Sequence, residues 1–291
     1  KIIDLAAIDH FQKNKTTDGF DANNIFTLDP SADLEDRLNG TSSTSLKFGK
    51  QNLSFSKISN YVNCPKQFWY GNVLNALPEN QEAPALYKGG FFHKIVENSS
   101  IKQRDEGKTD SLSVLKKQVT TNWDPTQYLS RSVKKEQQDK KSLDFALDSY
   151  QKWTSSSPNT ILELEMRFSI HAGGYQINGV IDRVEQTPDG DYVIVDYKTG
   201  HTTPSKVPDS LQLNIYCIAI QEKFGKLPIR ASFFYVEEPE GGQWFHYDVT
   251  AKKVAEVKQK LEEHITAISN DEYDANPGFI CKWCDYRDIC E

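Results

Sequence analysis

The chain has 291 residues, a formal net charge of -7 and 26% charged residues, enough for one large α/β domain with a core of ordinary size. That acidity argues against a basic protein that coats nucleic acid over its whole surface, and it leaves a local groove open. No run of about eighteen apolar residues occurs and the N-terminal KIIDLAAIDHF is too short and too acidic for a secretory signal, so the sequence reads as soluble and cytoplasmic, without a membrane partner.

Position 1 is Lys and the single methionine is Met166, which leads us to expect a piece of a longer polypeptide with an upstream domain. Residues 1–50 start with a short amphipathic run and become polar through DPSADLEDRLNGTSSTSLKFGK. They read as an extension or linker, with the folded domain over 51–291. From LSFSKISNYVNCPKQFWYG the pattern is helical, with Ile58, Tyr61, Val62 and Phe68 behind a serine-rich start. Further helices are expected over 86–97, 111–123 and 141–153. At Ile161 the period changes to two, because ILELEMRFSI alternates apolar and charged residues. Strands over 161–170, 175–186 and 191–198, joined by HAGG and TPDGD, are expected to form an antiparallel meander. A helix over 210–224, strands IRASFFYVE and WFHYDV and a helix over 251–269 complete an α/β domain without internal repeats.

The stretch GVIDRVEQTPDGDYVIVDYKTG sets Asp182, Asp196 and Lys198 among Val, Ile and Tyr, where a buried charge is costly unless paired. Asp182 and Asp196 are equally far from Asp189, so a turn centred there sets them opposite each other on one face, and Lys198 shares that face. Two carboxylates so placed repel unless a cation lies between them, and oxygen ligands favour Mg²⁺ or Mn²⁺. A solvated surface hairpin with an Asp–Lys salt bridge is the competing reading. The apolar run YVIV before Asp196 and the TG that ends the strand favour a site.

The spacing from Asp182 to Asp196-Tyr197-Lys198 resembles the PD-(D/E)XK nuclease superfamily, and specifically its RecB-like branch. GGFFHKIVE resembles that branch's helical motif ending in histidine, and QLNIY resembles its QxxxY motif. The resemblance implies a restriction-endonuclease-like core, a mixed central sheet flanked by helices. It implies a DNA nuclease, with His93, Asp182 and Asp196 as ligands of Mg²⁺ or Mn²⁺ and with Asp182, Asp196, Lys198, Gln212 and Tyr216 as the catalytic set. Glu97, one turn after His93, and Glu165, on the preceding strand, are candidates for supporting contacts to the metal or its waters. Such domains often follow a helicase or helicase-like region and act in recombination and repair, so the resemblance implies DNA and a helicase partner, and association with the nucleoid if the source is bacterial.

Five cysteines in a chain without an export signal, Cys64, Cys217, Cys281, Cys284 and Cys290, favour metal ligation over a disulfide framework. The C-x₂-C-x₅-C spacing of the last three, with Cys64 as a distant fourth, leaves zinc and iron–sulfur both open. The resemblance decides between them: nucleases of the AddB type carry this arrangement as ligands of a [4Fe–4S] cluster, which would staple the N- and C-terminal segments together. Cys217 reads as a core residue. The aromatic run at 68–70 and Trp283 read as a shield for the cluster, with a platform for stacking single-stranded bases as the rival. Two other functions remain open at this stage, a DNA-binding module that has lost cleavage and a zinc-stabilised interaction domain of a repair complex.

Overall fold

The computed structural model describes residues 52–76, 83–129, 131–200 and 210–290; the extension expected over 1–50 lies outside them. A two-residue strand, β1 (Leu53–Ser54), leads into α1 (Phe55–Asn63), whose first turn is capped by the Ser54 side chain accepting from Lys57 N–H at 3.3 Å. The single helix expected from the pattern is broken at Cys64, which is extended with φ -161 and ψ 112. Proline disfavours helical backbone in the residue before it, and Pro65 then opens α2 (Pro65–Phe68), continued by a π-helical turn over Trp69–Val73.

The next helices are α3 (Ala83–Glu106), α4 (Leu112–Asn122) and α5 (Val133–Thr154). α5 starts eight residues before the expected 141, at the Ser132 cap. Its first turns carry no apolar stripe and are supported instead by Lys135–Asp139 and Glu136–Lys140 ion pairs, each at 2.9 Å.

The meander forms as expected: β2 (Thr160–Ala172), β3 (Tyr175–Gln186) and β4 (Tyr192–Lys198) are antiparallel neighbours. β3 pairs with β4 from Arg183–Val195 to Gln186–Tyr192, the register that a turn centred on Asp189 requires. α6 (Leu211–Phe224) crosses over to β5 (Arg230–Tyr235), which runs parallel to β4; β6 (Gln243–Tyr247) returns antiparallel, and α7 (Ala251–Ser269) follows. With β1 parallel to β3, the result is a six-stranded mixed sheet.

Helices cover both faces. Ile58 and Phe68, Leu213 to Ile220 of α6 and Val254 to Ile268 of α7 pack against Ile181, Val184 and Ile194 in one core. Phe92, Val96, Leu115 and Leu147 pack against Val193, Val195 and Tyr197 in the other. β1 and β4 pair with the same edge of β3 at different heights, β1 at Ile177 and Asn178 and β4 from Arg183 onward. Among the described residues no strand occupies that edge between them. This gap in the sheet is where the charged residues of β3 and β4 converge.

Candidate active site

Two residues apart on one strand should share a face, yet Ile181 packs into the core with α6 whereas Arg183 lies over the Trp153 ring on the other side. Asp182 sits at that change of face. Across β2 the corresponding position is Glu165, between the pairs Leu164–Arg183 and Met166–Ile181, and its backbone is left-handed with φ 46. Such a conformation costs a non-glycine residue about 1–2 kcal/mol and is characteristically kept at functional positions. Here it accompanies the approach of the Glu165 carboxylate to Asp182.

α3 supplies the third group. The ligand atoms of His93, Glu165 and Asp182 all lie within 4.8 Å of one another, and His93 Nδ1 is 3.6 Å from Asp182 Oδ1. Gly89, one turn before His93, permits this approach, because a Cβ there would meet Thr199 Oγ1 at 3.1 Å, tighter than ordinary contact. Burial is the main cause holding His93 below the usual imidazole range; the Asp196 charge opposes it, Lys198 adds to it, and a hydrogen bond with the Tyr197 backbone opposes it. A neutral imidazole keeps a lone pair for a cation.

The carboxylates are driven the other way. Burial first, then the charge of Asp196, push Asp182 well above the usual carboxylate range, opposed by the Tyr197 N–H that donates to its Oδ2 at 2.8 Å. Burial, then Glu97 and Asp196, raise Glu165. Glu97 itself is held by Lys94 at 2.9 Å and stands beside the group of three.

Asp196 faces α6. Its Oδ1 accepts from Gln212 Nε2 at 3.0 Å and from the Tyr216 hydroxyl at 3.2 Å, while Gln212 Nε2 also donates to the Tyr216 oxygen at 2.7 Å. Lys198 Nζ donates to Gln212 Oε1 at 3.0 Å, lies 2.6 Å from Asp196 Oδ2 and sits 4.7 Å from the centre of the Phe233 ring. Gln212 and Tyr216, four residues apart on α6, share the face that meets β4. The Ser210 cap, accepting from Leu213 N–H at 3.3 Å, fixes where that face begins.

The donor set fits a hard divalent cation. One imidazole and two carboxylates converge, both carboxylates are pushed toward protonation by burial and by neighbouring carboxylates, and Asp196 Oδ2 is buried without a hydrogen bond of good geometry. Mg²⁺ and Mn²⁺ favour such oxygen-rich sets.

The four other candidate ligands lie where α1 meets the C-terminal tail. Burial pushes the Cys284 thiol up; a backbone hydrogen bond at Tyr286 opposes this, and neighbouring Cys64, Cys290 and Cys281 add to it. Asn276 N–H donates to Cys64 Sγ and Gly278 N–H to Cys281 Sγ, both at 3.4 Å. Tyrosines lace the same segments together: Tyr61 to the Glu272 carbonyl and Tyr70 to that of Ile289, each at 2.7 Å, and Tyr286 to that of Ala76 at 3.1 Å. Gly71 makes room for this, since a Cβ there would be 2.9 Å from the Tyr286 hydroxyl. Cys217 is fully buried on α6, its thiol pushed up to about 12 by burial. Trp283, expected to shield the cluster, is 67% exposed and meets Phe279 edge to face at 4.6 Å.

The family model of the PD-(D/E)XK nuclease superfamily matches residues 52–291. The chain belongs to that superfamily. No curated protein matches it significantly. Among solved structures, a protein of Eubacterium rectale provisionally named an exonuclease is 16% identical, covering 84% of this chain and 90% of its own with a TM-score of 0.47. The structure of SSO0001 is 14% identical, covering 88% and 92%, with a TM-score of 0.40.

Within this PD-(D/E)XK domain the candidates read from sequence fall into two touching groups. His93, Glu165 and Asp182 form the candidate ligand cluster, and Asp196, Lys198, Gln212 and Tyr216 form the hydrogen-bonded one. Asp196 joins the two through its charge on Asp182. Glu165, expected in a supporting role, stands with His93 and Asp182 at a change of face that strict alternation along β2 does not signal. Sequence reading missed the contacts of Tyr197 altogether, since an apolar-flanked Tyr carries no signal for what its backbone N–H does. No described helix is long and apolar enough to cross a membrane.

Proposed function

We propose that the chain is a DNA nuclease dependent on Mg²⁺ or Mn²⁺, an exonuclease acting on single strands during repair or recombination. The observation that carries this reading is the meeting of His93, Glu165 and Asp182 within 4.8 Å beside the Asp196–Lys198 pair, in a chain whose family hydrolyses phosphodiesters. A bound divalent ion would lower the pKa of a water and neutralise charge growing on the phosphate. His93, Glu165 and Asp182 would hold that ion, and Asp196 would complete its shell through Oδ2. Lys198 would stabilise the negative charge of the transition state from a position set by Gln212, which Tyr216 fixes in turn.

A [4Fe–4S] cluster on Cys64, Cys281, Cys284 and Cys290 belongs to the same proposal. The N–H groups aimed at two of the sulfurs suit thiolates, and the choice of a [4Fe–4S] cluster over zinc rests on the family resemblance. A helicase or helicase-like partner that delivers single strands rests on the family resemblance alone.

The test is cleavage of end-labelled single- and double-stranded DNA by the metal-stripped protein with and without added Mn²⁺. Mn²⁺-dependent shortening of the single strand, absent from the His93→Ala and Asp182→Ala proteins, is expected. Binding of DNA without cleavage under any divalent ion would instead make the domain a binding module.

A further inference from the structure

Between the acidic and the basic residue of the β4 motif stands a tyrosine whose backbone N–H bonds one ligand from another element and whose ring packs against a second. We propose that Tyr197 is a positioning residue that holds Asp182 through that N–H and His93 through its buried ring, an inference that rests on the metal-site reading above.

The β3–β4 ladder ends at Arg183–Val195. Beyond it the Tyr197 N–H, which would otherwise continue the ladder, donates to Asp182 Oδ2 at 2.8 Å. Ligand histidines and carboxylates are oriented by such contacts, and losing one typically weakens metal binding about 10–100-fold. With no β3 pairing to fix it there, the Tyr197 backbone is set by its pairing with Phe234 of β5 and by its ring. That ring is 4% exposed and meets Phe92, Tyr150 and Trp153 edge to face, with centroids 6.0, 6.0 and 6.2 Å away. It also meets the His93 ring edge to face at 5.9 Å. Phe92 and His93 are neighbours on α3, so one ring locates both the helix and its ligand against β4. The phenol oxygen contributes nothing to this, being buried without a hydrogen-bond partner.

Mn²⁺ titration of the full chain without DNA tests the assignment. Tyr197→Leu should raise the Mn²⁺ Kd about 10–100-fold while circular dichroism stays native, and Tyr197→Phe should bind as the parent does. Leu147→Ala truncates the same core without touching either ligand, so it should lower Tm and leave Kd unchanged. Should the Tyr197→Leu protein not fold, Trp153→Leu removes one wall of the cage and should weaken Mn²⁺ binding severalfold. Parental affinity in a folded Tyr197→Leu or Trp153→Leu protein overturns the proposal, as does an equal loss in Leu147→Ala. Parental Mn²⁺ binding that His93→Ala and Asp182→Ala leave intact would instead remove the metal-site reading itself.

Discussion

Lys198 Nζ lies 2.6 Å from Asp196 Oδ2, two residues away on the same face of β4, and both side chains are bonded to Gln212. The pair is asymmetric: the Asp196 side chain is 3% exposed and that of Lys198 is 30%. The lysine is therefore reachable from solvent while its partner is anchored, which is what its proposed role as a transition-state cation requires.

Lys198→Ala and Asp196→Ala should each lower the rate of DNA cleavage by at least about 10²–10³-fold. Far-UV circular dichroism should stay native, since Gln212 still bonds whichever partner remains. Single-turnover cleavage by protein free of contaminating nuclease provides the measurement, and near-parental cutting by either variant would remove the pair from the site.

The α6 contacts should show a graded effect. Tyr216→Phe deletes one of two donors to Asp196 Oδ1, and hydrogen bonds to charged groups are worth about 1.5–3 kcal/mol, so a loss of roughly 10–100-fold in kcat is expected. Gln212→Ala breaks contacts to Asp196, Lys198 and Tyr216 together and should cost more. A Gln212→Ala enzyme as active as Tyr216→Phe would mean that the glutamine only fills space.

The metal-free protein should carry a pH signature. Asp182 and Glu165 have raised pKa values in the fold. Groups shifted upward contribute stability that is full below the unfolded carboxylate range and is lost as pH rises through the folded value. In EDTA the protein should therefore melt at a lower temperature at neutral pH than at mildly acid pH. Asp182→Asn should abolish Mn²⁺ binding yet raise the neutral-pH Tm, by about 2–4 °C for each kcal/mol gained. An Asp182→Asn protein no more stable than its parent across that range would show that the crowding is relieved in another way.

Much of this was legible because local rules act locally. The period-two run at 161–170 and the turn centred on Asp189 set the meander and its register. The QxxxY spacing placed Gln212 and Tyr216 on one helical face, which the Ser210 cap begins where expected. What the sequence concealed depends on contacts between distant elements. The left-handed backbone of Glu165 appears only where β2 meets the Asp182 row, and the break at Cys64 needed Pro65 to be weighed above the apolar pattern around it. The polar start of α5 looked like loop because ion pairs, not a buried stripe, support it.

The cysteine staple gives the last prediction. If Cys64, Cys281, Cys284 and Cys290 hold one cluster, Cys64→Ser and Cys284→Ser should lose iron and the brown absorbance equally, although they come from opposite ends of the domain. Cys217→Ser should keep both, because that thiol is buried on α6 away from the tail. The tail should not come free altogether in the cluster-less protein, since the bonds from Tyr61, Tyr70 and Tyr286 still cross between the same segments. Combining Cys64→Ser with Tyr70→Phe should loosen it further, seen as faster proteolysis within 276–290 than in Cys64→Ser, whereas Tyr70→Phe alone should be cut slowly. Full iron content in the Cys64→Ser protein would remove Cys64 from the ligand set, and equal proteolysis of Cys64→Ser and the double variant would show that the Tyr70 bond contributes nothing to holding the tail.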